Sequence, residues 1–124
     1  MRVLKLDDIV SAVDLALEEV EVPEWGGVVF LRGLTAGELE HLENAFSGNT
    51  DREKFEFAVQ LLAISMVSQD GQRIVTEDRV GILRDRSAAV VFRLVKACGE
   101  INHKDFEDLV GNSPSGPAAA LSTA

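Results

Sequence analysis

The sequence predicts an α+β fold, a mostly helical single domain with an N-terminal β-hairpin and a disordered C-terminal tail. Three observations predict it. An alternating Val and Glu run stops at Pro23 and, past Gly26 and Gly27, a second apolar run returns. Two Thr-x-x-Glu boxes head segments with helical apolar spacing. The last residues offer almost nothing to bury. A chain of 124 residues suits one domain, and area scaling lets it hide roughly two thirds of its unfolded surface without metal or disulfide support.

Residues 7–14 are expected to form a short helix, since Asp7 or Asp8 can cap it and Ile9, Ala12 and Val13 share one face. In Leu17–Val22, Val20 and Val22 alternate with Glu19 and Glu21, the pattern of a strand with one dry and one wet face. Pro23-Glu24-Trp25-Gly26-Gly27 punctuates it, because proline cannot continue a ladder and glycine admits positive φ. Residues 28–32 read as the returning strand.

Thr35-Ala36-Gly37-Glu38 has capping-box spacing and opens a helix expected to bury Leu39, Leu42 and Phe46. Ser47-Gly48-Asn49 supplies a left-handed stop, and Thr50-Asp51-Arg52-Glu53 a second box. From there Phe55, Ala58, Val59, Leu62 and Met66 fall on one side, while Phe57, Leu61 and Ile64 form a second apolar side. Such a helix is either sandwiched in its own domain or offers one side to a partner. Asp70-Gly71 marks a tight turn between short extended arms. Thr76-Glu77-Asp78 starts a short helix ending near residues 84–86, weakened by Gly81. Ser87 opens another helix, with Ala88, Val91, Phe92, Val95 and Cys98 on one stripe and Gly99 just past its end. Asn102 heads a last helix with Phe106, Leu109 and Val110 inward and Gly111 as its stop. The domain therefore spans residues 1–111, and residues 112–124 form a flexible Pro, Ser and Ala tail.

Twelve Lys and Arg against 21 Asp and Glu leave a net charge of −9, which argues against binding nucleic acid by phosphate neutralisation. The first 50 residues hold ten acidic and three basic side chains. That front-loaded acidity is either a solvated face or a surface for a basic partner. No signal-peptide stretch appears, and the most apolar run, 57–67, is far short of the ~20 residues a membrane span needs. The lone Cys98 excludes an internal disulfide framework and a Cys-rich zinc site, and suits a reducing compartment. His41 lies among Glu38, Glu40 and Glu43, and neither it nor His103 has metal-ligand spacing. Trp25-Gly26-Gly27 lacks the lysine of a phosphate loop. The residues thus predict no catalytic group, no cofactor and no metal, and a protein that is not an enzyme.

The acidic leader, then Glu19-Val20-Glu21-Val22-Pro23-Glu24-Trp25-Gly26-Gly27 running into residues 28–34 and a helix from Thr35, resembles the front of the tail assembly chaperones of long-tailed bacteriophages and prophages. The later segments agree: a long apolar helix ending in Ser68-Gln69-Asp70-Gly71-Gln72-Arg73-Ile74, an element opened by Thr76-Glu77-Asp78, and Leu109-Val110-Gly111-Asn112-Ser113 leading into the tail. The resemblance runs over about residues 18–115. It implies a non-enzymatic assembly factor of the host cytoplasm, absent from the mature virion. Such a factor coats the apolar tape measure protein, keeps it soluble and helps gather tail tube protein around it. Many members also exist in a longer form made by ribosomal frameshifting.

A chaperone for an aggregation-prone helix needs an apolar face and enough charge to disperse the complex. The expected partner-binding residues are Phe57, Leu61 and Ile64, or, where these are core, Trp25, Val28 and Phe30. Spare apolar helix surface also favours a homo-oligomer. The alternative is a small acidic regulatory binder, antitoxin-like or a nucleic-acid mimic, that masks a basic partner.

Overall fold

Val20 and Val22 face one way and Glu19 and Glu21 the other, and the front of the chain folds on that alternation. We determined a computed structural model, which describes residues 1–46 and 49–103. In it β1 (Leu17–Val22) pairs antiparallel with β2 (Gly27–Arg32), Val20 opposite Val29 and Val22 opposite Gly27. Val22 is fully buried. Residues Pro23–Trp25 make one 3₁₀ turn, closed by Gly26 at φ +80°, whose N–H donates to the Pro23 carbonyl at 3.0 Å. A Cβ at Gly26 would meet nothing within 4 Å, so the glycine is required by its backbone angle and not by space.

A third strand joins the hairpin. β3 (Met66–Val67) pairs antiparallel with the far side of β2, placing Met66 opposite Leu31 and Val67 opposite Phe30. Sequence period had absorbed Met66 into the preceding helix. The Asp70-Gly71 turn forms as expected: Gly71 has φ +89°, the Ser68 N–H donates to the Gln72 carbonyl at 2.7 Å, and Arg73 bridges back to Val67.

Both threonine caps form. In α2 (Ala36–Ala45) the Thr35 hydroxyl accepts the Glu38 N–H at 3.1 Å and the Glu38 carboxylate accepts the Thr35 N–H at 2.9 Å. In α3 (Asp51–Ser65) the Thr50 hydroxyl accepts the Glu53 N–H at 3.1 Å. Phe57, Ala58, Val59, Leu61, Leu62 and Ala63 of α3 are all buried, so this helix is sandwiched within its own subunit. Helix α5 (Ala88–Ile101) adds Val90, Val91, Leu94, Val95 and Cys98 to the same core. Cys98 is buried, and that burial pushes its thiol up to about 12, so it packs in the protonated form. Of the residues expected inward on α2, Leu42 is buried, while Leu39 and Phe46 pack half-buried at the rim of the core.

Several boundaries differ, each for a local reason. The first helix is only α1 (Leu6–Val10), capped by the Asp8 carboxylate on the Lys5 N–H, and it buries nothing. The helix expected after Thr76 breaks at Gly81 into a 3₁₀ turn, Glu77–Arg79, and α4 (Gly81–Arg84). The Thr76 hydroxyl donates to the Asp78 carboxylate at 2.6 Å instead of capping the backbone. Helix α5 runs through Gly99, and Asn102 closes it where a new helix was expected to open. The Asn102 amide donates to the Cys98 carbonyl and its oxygen accepts the Leu34 N–H, both at 2.9 Å. His103 follows at φ +58°, the left-handed residue past a helix end. The rest of that expected last helix, the tail, and Ser47 and Gly48 lie outside the described residues.

Arg32 ties β2 to α2 by donating two bonds of 2.8 Å to Glu38. Those bonds, aided by the Thr35 N–H, hold the Glu38 carboxyl at about 2 against an ordinary 4.5. The folded pKa is the lower one, so the contribution is complete above about pH 4.5 and is lost as pH falls towards 2. Glu38→Gln keeps the cap but removes the charge; urea titrations between pH 2 and 4.5 should show a flatter loss of stability than in the parent chain.

Candidate protein-binding surface

Directly opposed residues of an antiparallel pair share a face. Because Val20 and Val22 turn to the core, the opposite face of the hairpin carries Leu17 beside Arg32, Glu19 beside Phe30, and Glu21 beside Val28. On this outer face Leu17 is 49 % and Val28 47 % exposed. Phe30 is half-buried and stands outside the core cluster. Val67 continues the row beyond Phe30 but is buried, with Arg73 bridged on its far side. The Arg73 Nε donates to the Val75 carbonyl at 2.6 Å. The result is a narrow apolar strip with two carboxylates along one side.

Of the six residues the sequence pointed to, the structure brings only Val28 and Phe30 together at the surface. Phe57 and Leu61 are buried at 8 and 1 % exposure, and Ile64 packs half-buried against the same core. This corrects the expectation that they form a second, available side of α3. Trp25 also packs half-buried on the core. Its turn is clamped to α5 by Arg93, which donates two bonds of 2.9 Å to Glu24 and holds that carboxyl at about 2. His41 and His103 are exposed and Cys98 is buried, so these three are not assembled into a site.

Two apolar features escaped sequence reasoning. Phe55 and Phe92, expected inward on their helices, meet edge-to-face at 5.7 Å between centroids, with Phe55 37 % exposed. The second is the N-terminal arm: Val3, Leu4, Leu6, Ile9, Val10 and Val13 are all largely exposed. Its signal was present, since a five-residue helix cannot bury so many apolar side chains. Among the described residues no group of three His, Cys, Asp or Glu is placed to hold a metal ion. No described helix is long and apolar enough to cross a membrane.

A comparison with solved structures finds a chain described as the bacteriophage HK97 tail assembly chaperone. It aligns with a TM-score of 0.60 and 22 % identity, over 77 % of this chain and 91 % of that one. No protein-family model matches the sequence, and no curated protein matches it. At this identity the likeness establishes the fold, an α+β arrangement shared with that chaperone.

The contrast between core and surface is measurable. Leu61→Ala should cost about 2–5 kcal/mol in urea unfolding, as expected for a buried leucine. Val28→Ser should change stability by less than about 1 kcal/mol, because its side chain already meets water.

Proposed function

We propose that this chain is a non-enzymatic phage tail assembly chaperone that binds the tape measure protein, keeps it soluble and helps recruit tail tube subunits. The observation that carries this reading is the shared fold, which spans nearly the whole of the HK97 chaperone. The surface supports it physically. An apolar strip at Leu17, Val28 and Phe30 accepts the greasy side of a helix, gaining about 25 cal/mol for each Å² removed from water. A net charge of −9 keeps the complex dispersed. The setting is the host cytoplasm during assembly, and the chaperone is left out of the mature virion. A longer frameshifted form of the same chain is a further partner in this reading.

Co-expression with the tape measure protein of the same phage or prophage tests it. The chaperone should raise the soluble yield of tape measure protein. The complex should also survive about 1 M salt, where charge attraction is screened within ~3 Å. Phe30→Asp should weaken capture without unfolding the chain. A complex that instead dissolves as salt rises would favour the acidic binder of a basic partner. Failure of any soluble complex to form would refute the chaperone reading.

A further inference from the structure

The outer hairpin strip carries charge along both of its long sides, and the two sides differ in sign. Glu19 and Glu21 stand exposed on β1, directly opposite Phe30 and Val28. Beyond Phe30 the row passes through Val67 to Arg73. Three other arginines are already engaged: Arg32 holds Glu38, Arg93 holds Glu24 and Arg84 holds Glu56. Among the described residues no cation pairs with Glu19 or Glu21, and no carboxylate pairs with Arg73. The strip is thus acidic along β1 and basic on its far side, with apolar side chains between.

The spacing suits a helix lying along the strands. Residues two apart in a strand are separated by about 6.8 Å, and residues four apart in a helix rise about 6 Å. A helix about 10 Å across covers two strands that run roughly 4.8 Å apart. A basic pair at four-residue spacing then meets Glu19 and Glu21, while an adjacent apolar pair at the same spacing meets Val28 and Phe30. Reversing the helix end for end keeps its apolar side down but moves its cations to the Arg73 side, where like charges oppose. The pattern therefore also sets the direction in which the helix lies.

We propose that the strip selects a helical segment whose apolar stripe carries Lys or Arg along one flank, and that Glu19 and Glu21 are the residues that make this choice. The inference rests on the chaperone reading of the strip as the client's seat, and adds the chemistry of the segment bound. Burial of the stripe holds the complex, whereas the rim charges govern encounter and choice. High salt therefore lessens the discrimination without dissolving the complex.

Fluorescence anisotropy with two synthetic amphipathic helices tests it. They share one apolar stripe and carry either Lys or Glu along one flank. At about 0.1 M salt the parent chain should bind the Lys peptide at least about tenfold more tightly than the Glu peptide. Glu19→Lys with Glu21→Lys should reverse that order. Asp85→Lys with Glu100→Lys makes the same change of net charge on exposed residues outside the hairpin, and should leave the order intact. Phe30→Asp should weaken binding of both peptides. Thermal unfolding by circular dichroism confirms that each variant is folded, since none of these side chains belongs to the core cluster. Equal binding of the two peptides, a Lys preference that survives reversal of Glu19 and Glu21, or one that is lost on reversal of Asp85 and Glu100 would each overturn the proposal and leave the chaperone reading to its co-expression test. Binding of neither peptide by the parent, or binding untouched by Phe30→Asp, would overturn it as well.

Discussion

Helix α3 must be covered on more than one side, and the architecture follows from that need. A fifteen-residue helix with Phe57, Ala58, Leu61 and Leu62 all buried cannot rest on a single layer. The chain supplies α5, β2, α2 and α4 around it. Even the one buried polar side chain at its end is provided for, since the Ser65 hydroxyl donates to the Leu61 carbonyl at 2.8 Å. Where α3 ends, its next two residues extend as β3 and lock onto β2, so the helix that fills the core also widens the sheet.

This central demand decides what is left for the surface. The apolar residues of α3 and the inner face of the hairpin satisfy each other, and Trp25 is drawn in with them. Among the described residues, most of the large apolar side chains left exposed lie at the front of the chain, on the outer hairpin face and the arm, with Phe55, Ile74 and Ile82 exposed elsewhere. The largest apolar surface open to a partner among the described residues is therefore in the N-terminal region. The deep core helix that first drew attention in the sequence is closed to it.

Much of the fold was legible because local chemistry and tertiary packing agree there. Thr35 and Thr50 announced their helices by side chains that satisfy backbone donors within four residues, which no distant contact overrides. Val20, Val22 and Gly26 announced the hairpin in the same way. The misread places depend on what lies far away in sequence. Asn102 was legible as a cap, but whether it closes one helix or opens another turns on the Leu34 N–H, 68 residues upstream. Phe57 and Val28 are both apolar, and only packing tells which is covered. β3 is two residues long and gains its identity from β2 alone.

The acidity of the front half has a structural meaning that a count of charges does not convey. Across the hairpin, Glu19 stands opposite Phe30 and Glu21 opposite Val28, so two exposed or half-exposed apolar side chains each have a carboxylate as direct neighbour. The exposed edge strand β1 carries Glu18 as well, which discourages unspecific sheet extension. A strip rimmed in this way by acid would oppose the same carboxylates of a second hairpin brought against it. The carboxylates that hydrate the hairpin thus stand directly beside its exposed apolar side chains, where charge bears on any surface that approaches them.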